Sequence, residues 1–251
     1  MHMVIQRLKT LLCDTRYKTF KILDQAFRPD MEEEFKEILK KCKKHTITSV
    51  QRMYSLYIAT KYVVQYKIPG DVVECGVFRG GSSMVMALTL KQMNDTERKL
   101  YLYDTYSGMS KPSDGDSNYR NEDVEGIWKR RQKANYNKWY YAPLEKVKNN
   151  LYSTGYPREN IIFIKGKVEE TIPAVIPDKI AILRLDTDWY ESTYHELLHL
   201  FPRLSVHGVL ILDDYGCLKG AKRATDTYFN EHGVKVLLNR IDYSGRIAIK
   251  V

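Results

Sequence analysis

The spacing of hydrophobic and polar residues changes near residue 70 of this 251-residue chain. Before that point, apolar residues such as Leu56 and Val63 recur among charged ones, which predicts several amphipathic helices. The tripeptide Ile68-Pro69-Gly70 ends the last of these helices. We therefore expect an N-terminal helical extension over residues 1–70 and a separate α/β domain over residues 71–251.

Beyond residue 70, short β-branched runs alternate with helical patterns. The predicted strands are Val72–Val77, Leu100–Tyr103, Ile161–Lys165, Ile180–Leu185, Gly208–Leu212, Val234–Leu237 and Arg246–Lys250. The predicted helices are Ser82–Met93, Ala142–Leu151, Tyr190–Phe201 and Lys219–Asn230. This alternation favours a doubly wound, mostly parallel sheet of seven strands with helices on both faces. The last two strands could instead form an antiparallel ending.

A long connection over residues 105–141 interrupts this alternation. It is polar and rich in aromatic residues, among them Trp128, Trp139 and Tyr140. Connections of this length in compact domains are usually functional lids or irregular surface segments. We expect either a lid over the substrate or a surface insertion, and the pattern alone does not separate the two.

Charge and cysteine content narrow the classes of function. The formal net charge of +9 is compatible with a phosphate-bearing partner, nucleic acid or an anionic membrane surface, but the lysines and arginines are spread along the chain. The four cysteines lie far apart without a C-x-x-C pair, so neither a zinc site nor a disulfide framework is indicated. There is no apolar run of membrane-spanning length and no signal-peptide pattern, so we expect a cytoplasmic protein without membrane insertion.

A glycine-rich loop follows the first predicted strand, in the sequence Glu-Cys-Gly-Val-Phe-Arg-Gly-Gly-Ser-Ser. Gly76, Gly80 and Gly81 would let the backbone turn tightly and approach a ligand closely. Ser82 and Ser83 can cap the next helix, whose unpaired N–H groups favour an anionic group such as a carboxylate. The spacing is neither the G-x-G-x-x-G of dinucleotide-binding enzymes nor a phosphate-binding P-loop. The loop indicates a different cofactor, or else a plain strand-to-helix turn.

Two acidic residues near this loop favour the cofactor. Glu74 lies two positions before the first glycine, which suits a cationic or amine-bearing ligand, and S-adenosylmethionine offers an amino group, a carboxylate and a sulfonium. Asp104 ends the next predicted strand, where a carboxylate can accept hydrogen bonds from ribose hydroxyls. The alternative for Asp104 is a turn or helix cap.

Further carboxylates follow two other predicted strands. Asp186 and Asp188 follow one strand, and Asp213 and Asp214 follow the next. Because the carboxyl ends of parallel strands meet at one edge of the sheet, these groups would repel one another unless a cation were present. Oxygen ligands favour Mg²⁺, with Mn²⁺ or Ca²⁺ as substitutes. The alternative is a set of ordinary turn residues.

One further motif matches part of a zinc-binding signature. His195-Glu-Leu-Leu-His199 matches the H-E-x-x-H signature of zinc proteases, but no histidine follows at the spacing of a third ligand. The apolar residues of this helix should face the sheet, which leaves the two histidines on its flank or outer side. We expect a surface pair of histidines.

Taken together and in order, five motifs resemble the macrocin O-methyltransferase (TylF-type) family. The motifs are Ile68–Ser83, Tyr103–Met109, Lys165–Pro173, Leu185–Thr193 and Leu212–Gly216. The resemblance runs from about Ile68 to Phe229 and implies the Rossmann-like fold of class I methyltransferases. It also implies S-adenosylmethionine-dependent, magnesium-dependent methylation of a sugar hydroxyl.

The resemblance implies a role for each matching residue. The methionine part of the cofactor would contact Glu74, Gly76, Ser82 and Ser83, the ribose Asp104, and the adenine the segment from Gly166 to Val168. Asp186, Asp213 and Asp214 would hold Mg²⁺ or Mn²⁺, and Asp186 would also be the general base. Lys167 departs from the family, which often has an aromatic residue there.

Other interpretations stay open at this point. A metal-dependent catechol-type methyltransferase would share the fold and the acids. A non-catalytic nucleic-acid-binding module would use the basic surface, although acids at the sheet edge disfavour a phosphate partner. We expect a sugar-type acceptor such as a glycan, a nucleotide-sugar or a glycosylated natural product, no nucleic-acid partner, and a homo-oligomer formed through the N-terminal helices.

Overall fold

The structure is a computed structural model that describes residues 30–251. The chain divides into two compact units, residues 1–37 and 38–251, and the first is described from residue 30 onward. Any helix that the sequence predicts before residue 30 lies outside the described residues. The functional division near residue 70 stays a prediction.

Helices and strands alternate along the described residues as the sequence predicts. The helices are α1 (Glu33–Cys42), α2 (Val50–Gln65), α3 (Gly81–Gln92), α4 (Val124–Arg131), α5 (Leu144–Tyr152), α6 (Val168–Thr171), α7 (Tyr190–Leu200) and α8 (Lys219–Glu231). The strands are β1 (Asp71–Cys75), β2 (Leu100–Asp104), β3 (Ile161–Lys165), β4 (Ile180–Leu185), β5 (Leu204–Leu212), β6 (Asn239–Arg240) and β7 (Arg246–Ile249). Single 3₁₀ turns cover Lys43–His45, Arg158–Asn160 and Phe201–Arg203.

The strands form one seven-stranded sheet in the order β3-β2-β1-β4-β5-β7-β6. Strands β1 to β5 are parallel, whereas β7 runs antiparallel to both β5 and β6. This confirms the predicted doubly wound, mostly parallel sheet, and it shows that the last two strands form the antiparallel ending. The strand order reverses direction between β1 and β4, which is where open α/β sheets bind ligands.

One predicted strand is wrong. Val234–Leu237 is irregular, and the strand of this region is the two-residue β6, which pairs Asn239 with Ile247 and Arg240 with Arg246. Leu237 is 77% exposed, so the apolar run is not buried by a neighbouring strand. The length of β6 therefore follows from its pairing with β7 and not from its own hydrophobicity.

The centre of the sheet is apolar except for two paired charges, Glu74 of β1 and Arg184 of β4. Every residue of β4 is buried, and Arg184 lies among them. Helix α2 begins at the N-cap Ser49, whose hydroxyl accepts a hydrogen bond of 3.2 Å from the Arg52 amide. The buried residues of α2 include Met53, Leu56 and Arg52 itself. Two arginines are thus brought into the interior of the protein.

The helices pack in two groups. Helix α3 contacts α2 and α5, whereas α7 contacts α6 and α8. Within residues 30–251, every helix is too short or too polar to cross a lipid bilayer.

Candidate functional site

A cavity of about 220 Å³ opens where strands β1, β2, β4 and β5 end. Because a cavity of roughly 10–15 Å³ already holds one water molecule, this cavity has room for an organic ligand or a part of one. Gly76, Asp104, Asp186 and Asp214 all line it, and each lies at or just beyond the carboxyl end of a parallel strand. The cavity therefore occupies the crevice in which this class of sheet binds ligands.

Gly76 brings the glycine loop against the end of β4. Its φ angle is +84°, which favours glycine, and a Cβ atom at this position would come within 2.0 Å of the Asp186 carbonyl oxygen. Its amide donates a hydrogen bond of 2.8 Å to the Tyr103 carbonyl at the end of β2. A glycine here allows the ends of three strands to approach one another.

The predicted cofactor residues separate into two sets. Those that line the cavity are Gly76, Ser82, Asp104, Gly166 and Val168. Those that do not line it are Glu74, Gly80 and Ser83. Gly80 begins α3 with a φ angle of +85°, and the hydroxyl of Ser83 donates a hydrogen bond to Glu74. The Glu74 carboxylate is held by Ser83 and Arg184, and the predicted cofactor roles of these three residues stay predictions.

The Asp104 carboxylate organises the loop around the cavity. One oxygen accepts hydrogen bonds from the amides of Val77, at 2.7 Å, and Phe78, at 2.9 Å, and the other accepts one from Tyr106, at 2.7 Å. Burial raises the pKa of Asp104, although these hydrogen bonds oppose the shift. The glycine loop is thus tied to the end of β2. The predicted contact with a ribose stays a prediction.

Arg184 is the centre of a buried ionic network. Its guanidinium lies 2.6 Å from Glu74, 2.5 Å from Asp213 and 2.8 Å from Asp186, and its side chain is 2% exposed. The register of the sheet pairs Glu74 of β1 with Arg184 of β4, so backbone pairing sets this contact. The sequence analysis missed Arg184, although a charged residue inside an apolar strand is a visible signal of a buried ion pair.

Arg52 extends the network into the N-terminal part of the chain. Its guanidinium contacts Asp213, and its Nε atom lies 3.0 Å from Asp242 in the turn between β6 and β7. Asp213 therefore lies between two guanidinium groups and is 3% exposed. A residue of helix α2 thus helps to form the wall of the cavity, which the sequence analysis did not predict.

Three other aspartates form the acidic group of the cavity. Carboxylate oxygens of Asp186, Asp188 and Asp214 all lie within 4.8 Å of one another. This differs from the predicted trio of Asp186, Asp213 and Asp214, because Asp213 is directed toward Arg52 and Arg184. Asp188, with a φ angle of +76°, takes the place that the sequence analysis gave to Asp213. The predicted roles of these residues stay predictions.

The acidic group is poorly neutralised. Burial and the nearby Asp186 raise the pKa of Asp188 to about 7. Burial also raises the pKa of Asp186 and Asp214, with neighbouring carboxylates adding to the shift, although Arg184 opposes it at Asp186. One oxygen of Asp214 is enclosed without a hydrogen-bond partner. Closely spaced carboxylate oxygens with few positive neighbours favour the binding of a proton or a cation.

The H-E-x-x-H motif on α7 does not form a site with both histidines and the glutamate. The rings of His195 and His199 lie 4.5 Å apart, and His195 Nε2 lies 2.9 Å from the Ile172 carbonyl oxygen. Glu196, between them in sequence, is fully buried, and burial raises its pKa. Among the described residues the two histidines belong to no group of three or more potential metal ligands, which does not fit a zinc protease.

The connection over residues 105–141 is held by its own hydrogen bonds. The buried side-chain amide of Asn137 donates to the Trp128 carbonyl at 3.0 Å, and its oxygen accepts from the Trp139 amide at 2.9 Å. The Trp128 indole donates to the Met109 carbonyl at 2.9 Å. Met109 and Tyr140 line the cavity, so this connection forms part of its wall. Its action as a lid stays a prediction.

Comparison with known proteins agrees with this architecture. The family model described as macrocin O-methyltransferase (TylF) matches residues 7–248. An 8-demethyl-8-(2,3-dimethoxy-alpha-L-rhamnosyl)-tetracenomycin-C 4'-O-methyltransferase from Streptomyces olivaceus is 32% identical, with 80% of this chain and 74% of that protein covered. A demethyldecarbamoylnovobiocin O-methyltransferase from Streptomyces niveus is 28% identical over 91% of this chain and 83% of that protein.

Among solved structures, the O-methyltransferase NovP superposes with a TM-score of 0.74 at 28% sequence identity, covering 82% of each chain. The family match spans nearly all of the sequence, and the superposition shows that the fold is shared. The chain therefore belongs to the macrocin O-methyltransferase (TylF) family and is an S-adenosylmethionine-dependent O-methyltransferase.

Proposed function

We propose that this enzyme transfers the methyl group of S-adenosylmethionine to a hydroxyl of a sugar-bearing acceptor, and that it uses a divalent cation, Mg²⁺ or Mn²⁺. The carrying observation is the group of three aspartates within 4.8 Å of one another at the cavity wall, beside the Gly76 loop. The relatives add support for the acceptor, since the name of the Streptomyces olivaceus enzyme includes a rhamnosyl group.

The residues present fit a hard cation. The donor atoms are all carboxylate oxygens, which Mg²⁺ and Mn²⁺ prefer, and the enclosed oxygen of Asp214 has no hydrogen-bond partner. Asp186, Asp188 and Asp214 would hold the ion. When bound, a divalent ion would supply Lewis acidity that lowers the pKa of an acceptor hydroxyl.

The protein itself would position the reactants and accept the proton. Glycine at position 76 lets the loop backbone approach a ligand beside the acids, and the wall formed by residues 105–141 would limit the access of water. Orientation matters because the acceptor oxygen, the methyl carbon and the sulfur must align for the displacement.

Two carboxylates are candidates for the proton acceptor. The sequence analysis assigns this role to Asp186, which lies 2.8 Å from the Arg184 guanidinium. Asp188 is the second candidate because its carboxylate belongs to the same acidic group as Asp186. If Asp188 is the base, Asp188→Asn should lose turnover even at Mg²⁺ concentrations that saturate its weakened ion site. If Asp186 is the base, Asp188→Asn should keep turnover at saturating Mg²⁺.

A methyl-transfer screen tests the proposed function. The purified enzyme would receive labelled S-adenosylmethionine and panels of sugars, nucleotide-sugars, glycosylated small molecules and catechols, with EDTA or with added Mg²⁺ or Mn²⁺. We expect transfer to a sugar-bearing acceptor that stops with the chelator and returns with the metal.

Two outcomes would contradict the proposal. Transfer to catechols without any transfer to a sugar would replace the proposed acceptor class. Full activity in EDTA would remove the cation while leaving the methyltransferase assignment in place. The homo-oligomer and the cytoplasmic location that the sequence suggests stay predictions.

A further inference from the structure

Two aromatic side chains face the same cavity and contact each other. Phe78 belongs to the glycine loop and Tyr140 to the end of the connection over residues 105–141, yet both line the cavity. Their ring centroids are 5.8 Å apart and their planes meet at 66°, an edge-to-face contact. Tyr140 is 42% exposed, so part of its ring is available to a ligand.

Both residues have a backbone conformation that bulky side chains rarely adopt. The φ angle is +50° at Phe78 and +52° at Tyr140, in the left-handed region. Such conformations persist when the surrounding structure enforces them, and they cluster at ligand sites. At Phe78 the amide donates to Asp104 at 2.9 Å.

The residue before Tyr140 is held in a similar way. The Trp139 amide donates to Asn137 Oδ1 at 2.9 Å, and the Trp139 carbonyl accepts a hydrogen bond of 3.0 Å from the Met109 amide. The neighbouring Trp139 ring lies against Trp189, at 6.0 Å between centroids. These contacts fix the backbone that directs Tyr140 into the cavity.

Tyr140 lines the same cavity as Asp186, Asp188 and Asp214. Burial raises the pKa of its hydroxyl to about 12, and the negative charges of Asp188, Asp214 and Asp186 add to the shift. An acceptor hydroxyl must reach these carboxylates to lose its proton. An acceptor in that position would share the cavity with the Tyr140 ring, part of which is exposed to it.

We propose that Phe78 and Tyr140 form the acceptor subsite, in which the aromatic pair packs against the apolar C–H face of a pyranose ring and determines the preference for sugars. This inference rests on the proposed function. An aromatic ring offers a large, rigid apolar surface with a negative face, and the C–H groups of a pyranose are weakly positive. Packing on it would bury the sugar face and direct one hydroxyl toward the acidic group.

Substitutions at Tyr140 test the subsite. The variants are Tyr140→Leu, which removes the ring, and Tyr140→Phe, which removes only the hydroxyl. The matched control is Tyr141→Leu. The Tyr141 ring stacks on the Tyr136 ring, with 4.4 Å between the ring centroids, and Tyr141 does not line the cavity. Acceptor KM and kcat would be measured with the best sugar from the screen. Binding of S-adenosylhomocysteine by calorimetry would report both folding and the cofactor side of the cavity.

We expect Tyr140→Leu to raise the acceptor KM about tenfold, the effect of roughly one aromatic contact. The affinity for S-adenosylhomocysteine should stay within about twofold, and Tyr141→Leu should resemble the wild type. Tyr140→Phe keeps the ring, so its acceptor KM should rise less than that of Tyr140→Leu. An unchanged KM in Tyr140→Leu, or a parallel loss of cofactor affinity, would overturn the subsite. An equal rise in the acceptor KM of Tyr140→Phe would also overturn the subsite, because the hydroxyl and not the ring would then bind the acceptor.

The two proposals fail in different ways. Wild-type transfer to sugars together with normal kinetics in Tyr140→Leu would overturn the subsite alone. Wild-type transfer to catechols only would overturn the proposed function and, with it, the sugar preference of the aromatic pair.

Discussion

Two sets of carboxylates surround the end of the central strands, and they differ in their positive neighbours. Glu74, Asp213 and Asp242 each pair with the guanidinium of Arg52 or Arg184. Buried ion pairs of this kind are costly to disrupt, since removing one partner leaves an uncompensated charge. We call these three the paired carboxylates.

The other set is the acidic group of Asp186, Asp188 and Asp214. Only one contact with a guanidinium, between Asp186 and Arg184, is found for this group in the described part of the chain. The pKa of each member is raised by burial and by the other carboxylates. The two sets therefore differ in degree: the paired carboxylates are neutralised by guanidinium groups, whereas within residues 30–251 the three carboxylates of the acidic group share one such contact, at Asp186.

The largest expected effect is the loss of turnover in Asp186→Asn. The substitution removes a proposed cation ligand and proton acceptor, so we expect kcat to fall by about 10²- to 10⁴-fold. Binding of S-adenosylhomocysteine should stay within a few-fold of the wild type. Methyl-transfer kinetics and calorimetry measure the two quantities. The control is Asp178→Asn, whose carboxylate is fully exposed. Normal turnover in Asp186→Asn, with binding intact, would remove the residue from the mechanism.

Variants of two adjacent residues, Asp213 and Asp214, compare the paired carboxylates directly with the acidic group. Asp213→Asn weakens the ion pairs with two buried guanidinium groups, so we expect the free energy of unfolding to fall by about 3 kcal/mol. Asp214→Asn relieves repulsion, so the free energy should stay the same or rise by up to about 1 kcal/mol at pH 8 in EDTA. Urea unfolding measures both variants. Equal losses of stability would mean that the two aspartates do not differ as described.

The smallest expected effect concerns pH and Asp242. Burial opposes ionisation of this carboxylate, but Arg52 and hydrogen bonds from Ser49, Gly245 and Ser244 hold its pKa below the usual value. A lowered pKa in the folded state stabilises the protein above the unfolded pKa, near 4, and this contribution is lost as the pH falls through the folded pKa.

The wild type should therefore exceed Asp242→Asn in stability by about 1 kcal/mol at pH 7, and the difference should shrink below about pH 4. Urea unfolding between pH 7 and pH 3 measures this, with Asp178→Asn as the exposed control. A difference that grows on acidification would contradict the assigned direction of the pKa shift.

Local sequence patterns predicted most of the fold. Strands β3 and β4 match their predicted bounds, and β1, β2, β5 and β7 differ only at their ends, because short apolar runs flanked by turn residues are local signals. The misplaced Val234–Leu237 strand shows the limit. A strand of two residues at the edge of a sheet depends on its partner, and that partner is set by tertiary contacts.

The sequence was sufficient to predict where the site lies in the fold. Acidic residues after parallel strands had to meet at one edge of the sheet, and the glycine loop had to lie beside them. Which aspartate is paired with arginines depended in part on Arg52, which is 161 positions before Asp213 in the chain. No local pattern reports a contact over that distance.

The sequence by itself determined the alternation of strands and helices, the family and the residue types at the sheet edge, because these depend on local spacing and on ordered motifs. The tertiary structure alone decided that Asp213 pairs with arginines while Asp188 joins the acidic group, and that Phe78 meets Tyr140. The physical reason is that the charge state and direction of a buried side chain are set by its neighbours in space, which the folded chain brings together from distant positions.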